Sequence, residues 1–126
     1  MSDLHLELNR QYATFDFPVK APLLVLGGGI GRLVDYEPFL GFLARQTARF
    51  DKAFLVLGNH GFYEMSYDAG AGAGAGEGRS PGRKAGCTLW SNIPPAAEDA
   101  VTLRVSDYKM IQGWTVAQHN ACRARV

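Results

Sequence analysis

Two short apolar runs that each end in glycine constrain the fold of this chain more than any other feature. Residues 23–26 read LLVL and precede three glycines, and residues 53–57 read AFLVL and precede a fourth. Fully apolar runs of this length, bounded by glycine, are typical of strands that are covered on both faces. We therefore predict strands at about 23–27 and 53–57.

The segment between the two runs has the period of an amphipathic helix. Asp35 is a suitable N-cap residue, and Pro38 is tolerated in a first helical turn. One face is apolar and the other is polar or charged: Phe39, Phe42, Leu43 and Phe50 against Arg45, Gln46 and Arg49. We predict a helix over about 37–50, hence a β-α-β unit with parallel strands and a right-handed crossover, which is an α/β fold.

Composition narrows the class of protein. The chain has 126 residues, the size of one small domain, and a net charge of +1 without a long basic block. It lacks an apolar stretch of about 20 residues and an N-terminal secretory pattern. Cys87 and Cys122 have no metal-ligand spacing. We predict a cytoplasmic protein that binds neither nucleic acid nor a membrane.

Polar side chains follow the second predicted strand, at the sheet edge where ligands of such folds bind. The carboxyl ends of parallel strands lie side by side, and ligands of open α/β sheets bind there. The second strand is followed by GNHGFY, which contains Asn59 and His60. Near the N-terminus, SDLHLE places Asp3 and His5 two residues apart, so in an extended segment both point to one face and could hold an ion. An Asn-His pair in a turn also serves simply as a local hydrogen-bonding device.

The glycine loop at Gly27–Gly31 also permits a dinucleotide-binding interpretation. Gly27 and Gly29 follow a strand as in G-x-G-x-x-G, but the position of the last glycine is Arg32. The acidic residue at the expected distance, Asp51, precedes the second strand instead of ending it. This interpretation is therefore the weaker one.

Taken together, the motifs resemble those of the calcineurin-like metallophosphoesterases, which run D-x-H, then GD after a strand, then GNH followed by an acid, then His and G-H-x-H. The matching stretches are SDLHLE, LLVLGGGIGRL and AFLVLGNHGFY, and GCTLWSNIP resembles the fungal branch. The resemblance covers residues 1–68 and 86–126. It implies the N-terminal, incomplete portion of an α/β/β/α sandwich, spanning residues 1–126 as one partial domain.

The same resemblance implies a function and a set of site residues. Members of the family hydrolyse small phosphoesters with water activated between two divalent cations of the Mn, Fe or Zn type. Asp3 and His5 match ligands of one metal, Asn59 matches a ligand of the other, and His60 matches the catalytic histidine.

Two positions depart from the family pattern. Gly29 replaces the aspartate that bridges both metals, and Gly61 replaces the acid that follows the histidine. We expect these losses to weaken or abolish two-metal hydrolysis. Aspartate at position 29 is expected to strengthen metal binding. A non-catalytic remnant or binding module is the alternative, and a dinucleotide-binding protein the third.

The rest of the chain supports more limited predictions. The Gly/Ala-rich stretch at 69–86 is predicted to be a flexible insert. Residues 86–91 resemble a strand with Trp90 in the core, and Val101, Leu103 and Val105 alternate as a strand would. A helix is expected from Thr115, with His119 on its surface.

Overall fold

The computed structural model describes residues 1–74, 88 and 90–123. Within these residues the chain contains two strands, β1 and β2, and several helices. The strands are β1 Leu23–Gly27 and β2 Lys52–Val56; the helices are α1 Tyr36–Thr47, α2 Tyr67–Gly74, α3 Glu98–Arg104, α4 Asp107–Met110 and α5 Val116–Arg123; single 3₁₀ turns cover Leu8–Arg10, Leu33–Asp35, Asn59–Phe62 and Pro95–Ala97.

The predicted β-α-β unit is present. β1 and β2 are parallel neighbours, with Leu23 opposite Lys52 and Gly27 opposite Val56, and α1 connects them. The strand positions agree with those predicted to within a residue, and α1 begins one residue before the predicted helix and ends three before its end. The described residues thus form a mixed α/β structure with a small parallel sheet.

Helix α1 forms where the apolar period predicts it, because its apolar stripe is buried. Phe39 and Phe42 are 3% and 0% exposed and pack against Leu24 and Leu26 of β1. Gln46, predicted on the polar face, is instead buried. Its amide oxygen accepts a hydrogen bond from Arg49 at 2.9 Å, which satisfies the polar atom inside the core.

The prediction that both strands are covered on both faces is wrong for β1. Leu24 and Leu26 are buried, whereas Leu23 and Val25 are 53% and 52% exposed. Phe54 of β2 is also exposed. Helix α1 therefore covers one face of the sheet, and the other face is open in the described part of the chain.

The N-terminal residues run beside the glycine loop and are held there by backbone hydrogen bonds. Asp3 and His5 donate their amides to the carbonyls of Gly28 and Gly29 at 3.0 and 2.8 Å. Both residues have positive φ, +55° and +47°, so the segment is not the extended one that the D-x-H pattern predicts. Leu6, which is fully buried in the core of α1 and β1, anchors it.

A second core is built from the C-terminal half of the chain. It contains Phe62, Tyr63, Trp90, Ile111 and Trp114. The prediction that Trp90 is a core residue is therefore confirmed. Leu33 and Leu57 pack against both cores and connect them.

Several predictions for the C-terminal half are corrected. Residues 69–74 belong to α2 and do not lack structure, while residues 75–86 lie outside the described residues. The alternation at 101–105 is not a strand, because 98–104 form α3. Thr88, Trp90 and Ser91 are not in a strand, and the rest of that predicted strand, 86, 87 and 89, falls outside the description.

Helix α5 begins where the sequence predicts a helix, and its start has a specific cause. The Thr115 hydroxyl accepts the Gln118 amide at 3.2 Å, and the Gln118 side chain accepts the Thr115 amide at 3.0 Å. This reciprocal pair is a capping box, which satisfies two amides that a helix start leaves unpaired.

Tyr12 joins the N-terminal segment to the start of α1. Its hydroxyl donates to Asp35 at 3.0 Å and accepts the backbone amide of Arg32 at 3.0 Å. Asp35 is thus engaged with Tyr12 and Arg32 and does not cap α1 as predicted. Burial raises the pKa of Tyr12 to about 12.

Two glycines give opposite predictions for stability. A Cβ at Gly29, where φ is +59°, would lie 2.9 Å from the Cα of Asp3, whereas a Cβ at Gly41 in α1 meets nothing within 4 Å. Gly29→Ala is expected to lower the free energy of unfolding by roughly 1–3 kcal/mol. Gly41→Ala should raise it by about 0.5–1 kcal/mol. Urea denaturation of both variants measures the change in the free energy of unfolding. Equal changes in the two variants would contradict the positive φ and the close contact described at Gly29.

The raised pKa of Tyr12 predicts loss of stability in alkali. The folded protein keeps the phenolic proton where the unfolded chain, with an ordinary pKa near 10, loses it. The stabilisation is therefore complete below about pH 10 and is lost as the pH rises to about 12. Urea midpoints between about pH 9 and 11 should fall less steeply for Tyr12→Phe than for the parent. Tyr36→Phe, at an exposed tyrosine, is the control and should keep the parent's slope.

Candidate metal centre and adjoining cavity

His5, Glu7 and His60 converge at the carboxyl end of the sheet. One possible ligand atom from each lies within 4.8 Å of the others. His5 and Glu7 come from the N-terminal segment that runs beside the glycine loop, and His60 from the turn that follows β2. The parallel pairing of the strands brings these two loops to the same edge.

Glu7 is the centre of the group. Its Oε1 lies 3.3 Å from Nδ1 of His5 and 3.2 Å from Nδ1 of His60. Its side chain is only 7% exposed, and both imidazoles are about 30% exposed. Its Oε2 is buried and has no hydrogen-bond partner among the described residues. A buried carboxylate oxygen without a partner is costly, so this oxygen is a polar atom that the described contacts leave unsatisfied.

Ring contacts fix the orientation of the two imidazoles. The centroids of His5 and His60 are 4.4 Å apart in an edge-to-face arrangement. His60 also stacks on Tyr63 at 4.2 Å. Tyr63 is itself held by hydrogen bonds from its hydroxyl to Asp107 at 2.8 Å and with Ser106 at 2.9 Å. Burial raises the pKa of Tyr63 to about 12, so it remains a neutral donor to Asp107.

The distances in the group suit a transition-metal ion. Tetrahedral ligands about 2.0–2.1 Å from zinc are separated from one another by about 3.3 Å. The separations of Glu7 Oε1 from the two Nδ1 atoms are 3.3 and 3.2 Å. Two imidazoles and a carboxylate are a donor set used by Zn and Fe, and three protein ligands leave a position for water. The two separations that involve Glu7 therefore match those around one such ion, and the three residues could hold it.

The structure separates the residues that the sequence grouped. His5 and His60 come together, but Asp3 is exposed and is not among the three. The Asn59 side chain turns away and donates its amide to Asp107 at 2.7 Å. Glu7 was not predicted as a site residue, although it follows His5 by two residues in SDLHLE, the same spacing that separates Asp3 from His5.

The expectation that aspartate at position 29 would strengthen metal binding conflicts with the geometry. A Cβ at Gly29 would lie 2.9 Å from both Cα and Oδ1 of Asp3. The N-terminal segment thus occupies the space that a bridging carboxylate would need. At Gly61 the added Cβ would be 3.4 Å from Leu57, which is an ordinary contact.

A cavity of about 390 Å³ adjoins Asn59. It shares no lining residue with the group of His5, Glu7 and His60. Its walls combine apolar and polar side chains: Asn59, Thr88, Trp90, Ser91, Ile93, Val101, Val105, Asp107 and His119.

His119, predicted on the surface, is buried with 7% exposure. Its Nδ1 lies 3.0 Å from the hydroxyl of Tyr108, and its ring meets Trp90 edge to face at 4.9 Å. Burial lowers the pKa of His119, which keeps the imidazole neutral at pH 7.

No family model, no curated protein and no solved structure matches this chain. Across the described ranges, none of the helices combines the length and the apolar character that crossing a membrane requires.

Proposed function

We propose that the chain binds one divalent transition-metal ion through His5, Glu7 and His60. The observation that carries this proposal is the Glu7 carboxylate, buried between two imidazoles with one oxygen unpaired. A carboxylate in that position offsets the positive charge of an ion, and the two imidazoles complete a compact donor set. In the residues that the structure describes, no other cluster of His, Cys, Asp and Glu has this geometry.

We place this site on a phosphoesterase-like scaffold. The motif resemblance and the parallel β-α-β unit support that assignment, and the α/β/β/α sandwich is its implied complete form. An ion with an open position acidifies bound water and polarises a phosphoryl oxygen. Glu7 would hold the ion and orient both imidazoles, and a small phosphoester is the substrate class that the family resemblance supplies.

Catalysis by paired metals is not what this geometry favours. Two-metal sites place their ions about 3.5–4 Å apart and need ligands for both. Position 29 has no space for a bridging carboxylate, and Asn59 is engaged with Asp107. A metal-binding module with background hydrolysis is therefore the form of the proposal that the contacts support best.

The dinucleotide alternative has less support. In that class of protein the pyrophosphate sits where the glycine loop enters a helix. Here α1 begins at Tyr36, and a 3₁₀ turn separates it from the loop. The loop's carbonyls at Gly28 and Gly29 and the amide of Gly27 are used by the N-terminal segment.

The metal site is tested by titration with Co²⁺ and Zn²⁺. The parent should bind one ion, and Co²⁺ should give visible absorption of low-symmetry coordination. Glu7→Gln and His60→Gln should each weaken binding by more than the roughly 10–100-fold that loss of a ligand's hydrogen-bond partner costs. Glu7→Gln keeps the shape of the side chain and removes its charge, so the fold is retained.

Asp3→Asn is the matched comparison for those variants. If His5, Glu7 and His60 form the site, Asp3→Asn should bind the ion as the parent does. The opposite result would contradict this proposal: if Asp3→Asn abolished binding and Glu7→Gln left it intact, the ligands would be those that the family resemblance implies.

Hydrolysis is tested separately, with p-nitrophenyl phosphate and its bis ester in the presence of manganese. We expect rates close to background. Manganese-dependent turnover that is lost in both Asp3→Ala and His60→Ala would contradict the one-metal proposal. A partner chain or a residue outside the described ranges would then complete a two-metal site.

A further inference from the structure

We propose that the cavity beside Asn59 binds a small organic cation, a protonated amine on a hydrocarbon body, with Asp107 as its counter-ion. The volume of about 390 Å³ lies within the range of about 300–1,000 Å³ that small-molecule sites occupy. This site is distinct from the metal centre, because the residues that line it are not among His5, Glu7 and His60.

Asp107 carries the argument for a cation. The residue is 6% exposed and lines the cavity. None of the described ion pairs includes it, so no Lys or Arg of the described residues lies within 4.0 Å of its carboxylate. Hydrogen bonds offset part of the cost of burying this carboxylate, and a cationic ligand would neutralise the charge that they leave.

The hydrogen bonds of Asp107 show which oxygen is left for a ligand. Both described donors, the amide of Asn59 at 2.7 Å and the hydroxyl of Tyr63 at 2.8 Å, meet Oδ1. Oδ2 accepts none of the described side-chain hydrogen bonds. Because Asp107 lines the cavity, Oδ2 is the oxygen that we assign to the ligand. An ammonium group donates well to such an oxygen.

The imidazole in the cavity wall does not supply a positive charge to Asp107. His119 also lines the cavity, but burial lowers its pKa, so it is neutral at pH 7. The exposed Lys109 belongs to the same short helix as Asp107 but forms no ion pair with it.

The rest of the lining suits the hydrocarbon body of an amine. Trp90 offers an aromatic ring, which attracts cations and packs against apolar groups. Ile93, Val101 and Val105 add aliphatic wall. An anion would meet the Asp107 carboxylate without a described positive side chain to offset it, so the chemistry of the cavity selects against phosphates and carboxylates.

Three ligands that share one hydrocarbon body test the proposal: phenethylamine, 2-phenylethanol and phenylacetate. They differ in charge and little in shape. Titrations followed by ¹H–¹⁵N NMR should show phenethylamine shifting the side-chain amide of Asn59 and the indole of Trp90. The alcohol and the acid should bind at least about 10-fold more weakly, since only the amine offers an ammonium to Asp107.

Two variants separate the charge from the space. Asp107→Asn keeps the side-chain shape and should weaken phenethylamine binding by at least about 10-fold, while Asp99→Asn, at an exposed residue of α3, should leave it unchanged. Val101→Phe keeps Asp107 and fills the cavity, so it should also weaken binding. Equal affinity for amine and alcohol, absence of binding at millimolar amine, or binding unaffected by both cavity variants would overturn the proposal.

Discussion

The close approach of two glycine-containing loops at the end of the sheet determines where everything else in the site lies. A Cβ at Gly58 would be 2.7 Å from the backbone nitrogen of Gly29, so the second loop needs glycine at position 58 to come this near. The approach follows from the parallel register of β1 and β2, which ends both strands at one edge. The N-terminal segment then pairs with the first loop and carries His5 and Glu7 to His60 of the second.

The elements that the sequence predicted well are those with a local cause. The apolar run at 23–26 buries Leu24 and Leu26, and the run at 53–57 is partly buried beside it. The apolar stripe with Phe39 and Phe42 buries one face of a helix, so the pattern alone predicts these elements. Helix α5 has its own capping box. Alternation alone did not predict the structure at 101–105, because residues 98–104 form α3 and Val105 follows it.

The site was harder to predict because its members are assembled by tertiary contacts. His5 and His60 carry a recognisable motif, but Glu7 lies between them in a segment whose backbone is left-handed at Asp3 and His5. Nothing local to Asn59 indicates Asp107, 48 residues later, as its partner. The burial of His119 depends in the same way on Trp90 and Tyr108. Periodicity cannot report such pairings.

The open face of the sheet has a thermodynamic consequence. Leu23 and Val25 are about half exposed in the folded molecule, so unfolding newly hydrates only the other half of each residue. The heat capacity of unfolding depends on newly hydrated apolar surface and is therefore smaller than if a second layer covered the sheet. A smaller heat capacity flattens the curve of stability against temperature. Covering this face would deepen that curvature as well as add stability.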